Sequence, residues 1–231
     1  MENIKVISLG GSIVAPDKVD TDFLKAFLKA IQDYLNSDSQ RKLIFVTGGG
    51  GPARAYQHAY REITSETDNN LQDWIGIAAT RLNAQLVKGI FGDLCKNEVV
   101  TDPTEPGSFN GRIMVAAGWK PGWSTDFDAV VLAERFNADT VINLSNISKV
   151  YSADPKLDQN AVPLDNMSWD ELKKLVGDKW TPGKNVPFDP VATKKASELK
   201  LKVITAAGKD IPNLVKILDG NTFEGTTIGP E

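Results

Sequence analysis

Leu43-Ile-Phe-Val-Thr47 runs directly into Gly48-Gly-Gly-Gly51-Pro52, and this stretch decides the fold class. An unbroken apolar run of this length is typical of a strand that helices cover on both faces of a parallel sheet. The glycines end the strand, and Pro52 predicts a helix that begins there, because its missing N–H costs little in a first turn. A buried strand that passes through glycines into a helix is the repeating unit of α/β proteins.

The same unit recurs on both sides of this stretch. Ile4–Leu9 predicts a strand closed by Gly10-Gly11, and Thr21–Asn36 carries a helical apolar stripe with Asp20 or Thr21 as its cap. Further helices are predicted at 73–88, 124–136, 189–199 and 211–218, with a short one from Ser168, and further strands at 113–117, 140–144 and 201–205. This alternation predicts an α/β fold with a largely parallel sheet and helices on both faces. The polar segment 151–166 predicts either a hinge between two lobes or a surface loop.

Composition excludes several classes of function. The 231 residues carry a formal net charge of −4, which disfavours nucleic acid as a partner. One cysteine, Cys95, leaves no disulfide framework or cysteine-based zinc cluster, and one histidine, His58, disfavours a His-His metal site and a Ser-His-Asp triad. The sequence shows neither a membrane-length apolar run nor a signal peptide, so we expect a cytoplasmic protein with no membrane partner.

The predicted strands run into residues that suit phosphate binding. Four of them end at 10–12, 48–51, 118–122 and 143–146, and three of these segments contain glycines. Carboxyl ends of parallel strands share one edge of a sheet, where glycine lets backbone N–H groups approach an anion. Arg54, one turn beyond the tetraglycine, is a candidate phosphate ligand. Ser124, Thr125 and Asp126 open a helix, where they can act as a cap, as a second phosphate site, or as both.

Two common phosphate motifs are not supported. The P-loop pattern G-x-x-x-x-G-K-[ST] is absent. Gly48–Ala53 nominally fits the dinucleotide fingerprint, but no later strand clearly ends in an acidic residue placed for a ribose. We therefore do not expect a nicotinamide dinucleotide cofactor.

A series of motifs in order along the chain carries a family resemblance. The motifs are Leu9-Gly-Gly-Ser12, Thr47-Gly-Gly-Gly-Gly-Pro-Ala-Arg54, Asp73-Trp-Ile-Gly-Ile77, Thr80-Arg-Leu-Asn-Ala84, Gly118-Trp-Lys-Pro-Gly-Trp-Ser-Thr-Asp126, Leu132-Ala-Glu134, Val150-Tyr-Ser-Ala-Asp-Pro155, Asp189-Pro-Val-Ala-Thr-Lys194 and Gly225-Thr-Thr-Ile228. The chain resembles the amino acid kinase family, and within it the UMP kinases of archaeal type. The resemblance spans nearly the whole sequence.

The resemblance implies a three-layer αβα sandwich and ATP- and Mg²⁺-dependent phosphorylation of UMP to UDP. It implies one domain over 1–231, with an acceptor lobe at about 1–139 and an ATP lobe at about 140–231. It also implies a homo-oligomer, a hexamer built from dimers. Catalytic positions would be Gly10, Gly11, Ser12, Arg54 and Lys194. ATP would contact Ser8, Gly50, Ser145, Asn146, Tyr151 and Asp154, and UMP would contact Gly49, Asp73, Gly118, Trp119, Lys120, Pro121, Gly122, Trp123, Ser124, Thr125 and Asp126, with no protein metal ligand assigned.

The sequence departs from the family pattern at three places. Many relatives carry a lysine where this chain has Ser8, and Lys5 should face the other side of its strand. Lys120 and Lys149 are candidates to replace that charge, although each also suits a solvated surface position. Relatives usually have Asp and Gly at Ser148 and Lys149. The tryptophans Trp119 and Trp123 either anchor the loop or an oligomer contact, or stack on a base in the acceptor pocket.

These departures keep two alternatives open. One is a member of the same family that phosphorylates a carboxylate, a carbamate or another small phosphate. The other is a nucleotide- or oxyanion-binding protein, for storage or regulation, that has little kinase activity. Binding without turnover would distinguish the second from both enzymes.

Overall fold

We analysed a computed structural model of the chain, which describes residues 3–65, 68–155, 157–177 and 186–229. The strands are β1 (Asn3–Leu9), β2 (Arg41–Thr47), β3 (Ile113–Ala116), β4 (Thr140–Ser145), β5 (Val150–Tyr151), β6 (Pro163–Leu164), β7 (Asn166–Met167), β8 (Lys202–Ala207) and β9 (Thr226–Ile228). The helices are α1 (Gly11–Val14), α2 (Thr21–Asn36), α3 (Gly50–Ile63), α4 (Asn69–Phe91), α5 (Thr125–Arg135), α6 (Trp169–Val176), α7 (Pro190–Glu198) and α8 (Ile211–Asp219).

Seven strands form the central sheet, in the order β3-β2-β1-β4-β8-β9-β7. The five strands from β3 to β8 are mutually parallel, so their carboxyl ends lie at one edge, and only the β8–β9 pair is antiparallel. The chain adds β2 and β3 on one side of β1 and then returns to place β4 on the other. β1 and β4 therefore flank the point at which the strand order reverses, where ligands bind in open α/β sheets.

Helices cover both faces of the sheet and give the three layers. Alternate residues of the strands decide which face each side chain enters: Ile7 and Leu9 pack with α2, α4 and α8, whereas Val6 packs with α5, α6 and α7. On the face covered by α2, α4 and α8, the ring centroids of Phe27, Phe45 and Phe91 lie within 6.0 Å of one another. The predicted α/β sandwich with a largely parallel sheet is confirmed.

Several predicted elements agree with the structure closely. α2 has the predicted bounds, and Asp20 is its cap, since its carboxylate accepts the N–H of Phe23. The capping box that begins at Ser168 is present at the start of α6. Within the described ranges, no helix is long and apolar enough to cross a membrane.

Other boundaries were wrong, each for a local reason. α3 begins at Gly50 rather than at Pro52, which occupies a first-turn position where its missing N–H is again harmless. α4 is longer than predicted at both ends, because Asp68 caps its start through the N–H groups of Asn70 and Leu71, and the helix continues until Gly92, whose φ is 51°. In the segment read as a hinge or a loop, β5 and β6 form a small antiparallel ribbon and β7 joins the edge of the main sheet.

Candidate active site

The first two glycine turns pack against each other at the carboxyl edge of the sheet. A Cβ atom on Gly11 would lie 2.1 Å from the backbone nitrogen of Gly50 and 2.5 Å from the carbonyl carbon of Gly48. Gly50 has a φ of +66°, and a side chain there would meet the carbonyl oxygen of Gly11 at 2.3 Å. Only glycine allows the two turns to approach this closely, so the sequence pairing of 10–11 with 48–51 has a direct structural cause.

The backbone N–H groups of these turns divide into two sets. Those of Gly10, Gly48 and Gly51 donate to the carbonyl oxygens of neighbouring segments at 2.8–3.0 Å. Those of Gly11 and Ser12, at the start of α1, and those of Gly49 and Gly50, at the start of α3, have no partner within the described part of the chain. Gly10 therefore shapes the first turn through its bond to Leu144, and the donors that this turn leaves for an anion lie at the next two residues.

Arg54 connects the second turn to the first. Its guanidinium donates to the Ser12 hydroxyl at 3.0 Å and to the Pro16 carbonyl oxygen at 2.8 Å, and the side chain is otherwise exposed. Its fixed fork of donors thus holds the turn that follows β1 while one face stays open to solvent. An anion on Gly11 and Ser12 would lie beside a positive charge.

A cavity of about 200 Å³ opens between α3, α4 and the loop that follows β3. Its lining includes six residues predicted to contact UMP: Gly49, Asp73, Gly118, Trp123, Ser124 and Thr125. It also includes residues that sequence reasoning missed: Ala53, Gln57, Gly76, Ile77 and Thr80. The missed residues repeat at three- and four-residue intervals, so the helical period applied around Asp73 and Ala53 was a signal that could have identified them.

The loop after β3 is fixed by side chains of α4. Gly118 donates its N–H to the Thr80 hydroxyl at 2.8 Å, and Arg81 donates to the carbonyl oxygen of Trp119 at 3.1 Å. Asp73 accepts the N–H of Gly122 at 2.8 Å, and burial raises the pKa of Asp73 above its ordinary value. Asp73 and the loop, which the sequence predicted to act together, are therefore in direct contact.

Asp126, Ser8 and Asp189 meet under the reversal point of the sheet. Ser8, which is 3% exposed, donates its hydroxyl to Asp126 at 2.9 Å, and the N–H of Asp189 donates to the other oxygen of that carboxylate at 3.3 Å. Burial, and then the neighbouring Asp189 carboxylate, raise the pKa of Asp126 to about 6. Asp189 caps α7 through the N–H of Ala192, and burial raises its pKa as well.

Neither candidate lysine, Lys120 or Lys149, takes the place of the family charge at Ser8. Lys5 lies on the opposite face of β1, as expected, and burial lowers its pKa. Lys149 is bound to Asp165 at 2.5 Å, and Lys120 lies 3.7 Å above the ring of Trp119. Both candidates are thus engaged elsewhere, and Asp126 accepts hydrogen bonds from the neutral Ser8 hydroxyl and the Asp189 N–H instead.

Four of the six predicted ATP residues lie at the carboxyl end of β4 and beyond it, whereas Ser8 lies in β1 and Gly50 begins α3. Ser145 accepts the N–H of Ile147 through its hydroxyl, Asn146 and Asp154 are exposed, and Tyr151 belongs to the β5–β6 ribbon. Lys194 is exposed on α7, and it makes no ion pair with any residue that the structure describes.

Comparisons with known proteins agree with this architecture. The profile of the amino acid kinase family matches residues 3–205. A uridylate kinase of Methanospirillum hungatei is 37% identical over 226 residues, which are 96% of this chain and 93% of that protein. A uridylate kinase of Thermoplasma volcanium is 36% identical over 231 residues, with 96% of both chains covered.

Solved structures extend the comparison to the fold. The crystal structure of uridylate kinase from Archaeoglobus fulgidus superposes with a TM-score of 0.80 at 34% identity and covers 97% of this chain and 99% of that one. A UMP kinase of Bacillus anthracis, at 19% identity and a TM-score of 0.76, shares the fold. The chain belongs to the amino acid kinase family.

Proposed function

We propose that this protein transfers the γ-phosphoryl group of ATP to UMP and forms UDP and ADP. The observation that carries the proposal is the cavity beside the paired glycine turns, which contains Asp73 and the loop over 118–125. Relatives of 36–37% identity over nearly the full chain are named uridylate kinases. Their similarity supports UMP over the carboxylate, carbamate and storage alternatives.

The acceptor end of the cavity suits a nucleotide. Asp73 offers a half-buried carboxylate, which accepts hydrogen bonds from two ribose hydroxyls once it releases the N–H of Gly122. Trp123 supplies an aromatic surface at the wall of the same cavity, and a planar base packs well on such a surface. We assign the base to the Trp123 wall and the ribose to Asp73.

The reacting end lies at the glycine turns. A phosphate oxygen of UMP attacks the γ-phosphorus of ATP, a new P–O bond forms, and the bond from that phosphorus to the bridging oxygen of ADP breaks. The free N–H groups of Gly11 and Ser12 and the guanidinium of Arg54 would stabilise the charge that spreads over the transferring group. This chemistry needs alignment and charge neutralisation rather than a covalent intermediate.

The donor nucleotide is assigned to the ATP lobe. Ser145, Asn146, Tyr151 and Asp154 would bind it, and Lys194 would approach its leaving phosphate. Within the described ranges, no group of three or more His, Cys, Asp or Glu side chains could hold a metal ion. Mg²⁺ commonly binds through substrate phosphates and only one or two carboxylates, and we propose that it accompanies ATP as its counter-ion.

The test is release of ADP from Mg·ATP with UMP, CMP, AMP, glutamate, aspartate and carbamate supplied one at a time. Turnover with UMP far above the others is expected. Turnover with a different acceptor would retain the family and reject the substrate. Tight UMP binding without any turnover would favour the binding-protein alternative.

Asp73→Asn should raise the KM for UMP about 10- to 100-fold, because hydrogen bonds to a charged group contribute about 1.5–3 kcal/mol. Steady-state kinetics with UMP and with deoxy-UMP, which lacks the 2′-hydroxyl, measure the effect. The wild type should prefer UMP, and the variant should lose most of that preference. Asp93→Asn, an exposed acid beyond α4, is the control and should behave as the wild type. An unchanged preference in Asp73→Asn would remove the ribose from this residue.

A cytoplasmic location, the division into two lobes and the hexameric assembly stay predictions.

A further inference from the structure

Asp128 is a carboxyl group inside the apolar layer of α5. It is 0% exposed, and its neighbours on the helix from Phe127 to Ala133 are all buried apolar residues. One carboxylate oxygen, Oδ2, accepts the N–H of Trp119 at 3.2 Å, and the other, Oδ1, has no hydrogen-bond partner. A buried carboxyl with an unsatisfied oxygen destabilises a core, and an apolar side chain of similar size would pack there at lower cost. Stability therefore does not explain this residue.

The hydrogen-bond partner of Asp128 is Trp119, which belongs to the loop that follows β3. Both backbone polar groups of Trp119 are hydrogen-bonded: its N–H donates to Asp128 of α5, and its carbonyl oxygen accepts from Arg81 of α4. Its ring lies 5.8 Å from that of Trp123, which in turn lies 4.2 Å from Phe127. Trp123 lines the acceptor cavity. A chain of contacts thus connects Asp128 to the cavity wall.

We propose that Asp128 is a positioning residue of the acceptor site, which fixes Trp119 and, through it, the Trp123 wall of the cavity. This inference rests on the proposed function, because it concerns the site assigned to UMP. It assigns to Asp128 no contact with UMP, so its removal should weaken acceptor binding rather than slow the chemical step.

The charge state of Asp128 adds a pH dependence. Burial raises the pKa of Asp128 to about 8, and the charged groups that act on it are three further carboxyls, Asp126, Asp102 and Asp189, which favour its neutral form. Lys120 lies over Trp119, where it acts on Asp102. The residue is therefore a neutral acid at pH 7 and becomes an uncompensated buried anion above pH 8. The N–H of Trp119 favours the anion but is outweighed by burial, so ionisation should draw water towards the unpartnered Oδ1 and loosen the region that Asp128 holds.

Two variants and one pH series test the proposal. Asp128→Asn keeps an oxygen acceptor for Trp119 and cannot ionise, whereas Asp128→Val removes the acceptor at similar volume. In the wild type, the KM for UMP should rise severalfold between pH 7 and pH 8.5, a range in which the uracil ring stays largely neutral, with a smaller change in kcat, as expected when binding but not chemistry is lost. Asp128→Asn should keep the low KM at both pH values. Asp128→Val should have the high KM at both.

A spectroscopic readout separates this inference from the proposed function. The near-ultraviolet circular dichroism of the tryptophans should change near pH 8 in the wild type and stay constant in Asp128→Asn. If the wild type does not phosphorylate UMP, the proposed function fails and the spectra alone decide the role of Asp128. A folded Asp128→Val protein with wild-type KM and wild-type spectra across the pH range would overturn the proposal. A wild-type spectrum with no change near pH 8 would overturn its pH dependence.

Discussion

Gly11→Ala should nearly abolish activity and destabilise the protein, because the added Cβ atom would meet backbone atoms on two sides. It would lie 2.1 Å from the Gly50 nitrogen and 2.5 Å from the Gly48 carbonyl carbon. A flexible side chain could move away, but these atoms belong to a turn that is itself bonded to β1 and to Ala15. We expect a loss of more than about 3 kcal/mol in the free energy of unfolding, at or above the upper part of the usual range for overpacking.

The loss of activity should exceed what unfolding alone explains. Any relaxation that admits the methyl group separates the two glycine turns, and the N–H groups of Gly11 and Ser12 then point away from the transferring phosphate. Removal of one such donor typically costs about 10²- to 10³-fold in kcat. Urea unfolding and steady-state kinetics at a temperature where the variant stays folded measure the two effects separately.

Gly89→Ala is the matched control for this substitution. Gly89 lies on the exposed side of α4, has no positive φ, and would meet no atom within 4 Å through an added Cβ. Alanine there should stabilise the helix by about 0.5–1 kcal/mol and leave kcat unchanged. Equal behaviour of the two glycine variants would contradict the packing of the turns described above.

Local signals in the sequence predicted most of the fold. Asp20 before an apolar stripe fixes the start of α2, and Ser168 with Glu171 fixes the start of α6, because both caps depend on residues three positions apart. β7 and β9 had no such signal. They have two and three residues, and their place at the edge of the sheet depends on pairing with each other and with β8 rather than on their own pattern.

Some residues of the candidate site could likewise be predicted from local sequence, and others could not. The glycine turns and Asp73 could be found because they follow strands or lie on a regular helix face. Asp128 could not, since an acid on a helix is expected to face solvent, and α5 is instead buried nearly all round between the sheet and α7. Asp189 appeared in a motif, but its contact with Asp126 joins residues 63 positions apart and needs the folded chain.

Lys194 is our candidate for the positive charge beside the leaving phosphate, since Ser8 carries no charge. Lys194 stands one turn into α7, a helix whose cap Asp189 contacts Asp126 beneath the reversal point of the sheet. The adjacent Lys195 is bound to Glu134 at 2.6 Å, whereas Lys194 is exposed and shows no ion pair among the described residues. Of these two neighbours, Lys194 is the one whose ammonium group is available to a phosphate.

Lys194→Met should therefore lower kcat about 10²- to 10³-fold, because the variant keeps the length of the side chain and removes a charge that matters most as the phosphoryl group transfers. The KM for UMP should change little, since UMP is assigned to the cavity that contains Asp73. Lys194→Arg should recover part of the loss by restoring the charge in a different shape. Lys216→Met, an exposed lysine on α8, is the control. Wild-type kcat in Lys194→Met would move this role to another cation, and Arg54, which already holds the Ser12 turn, would then be the first to test.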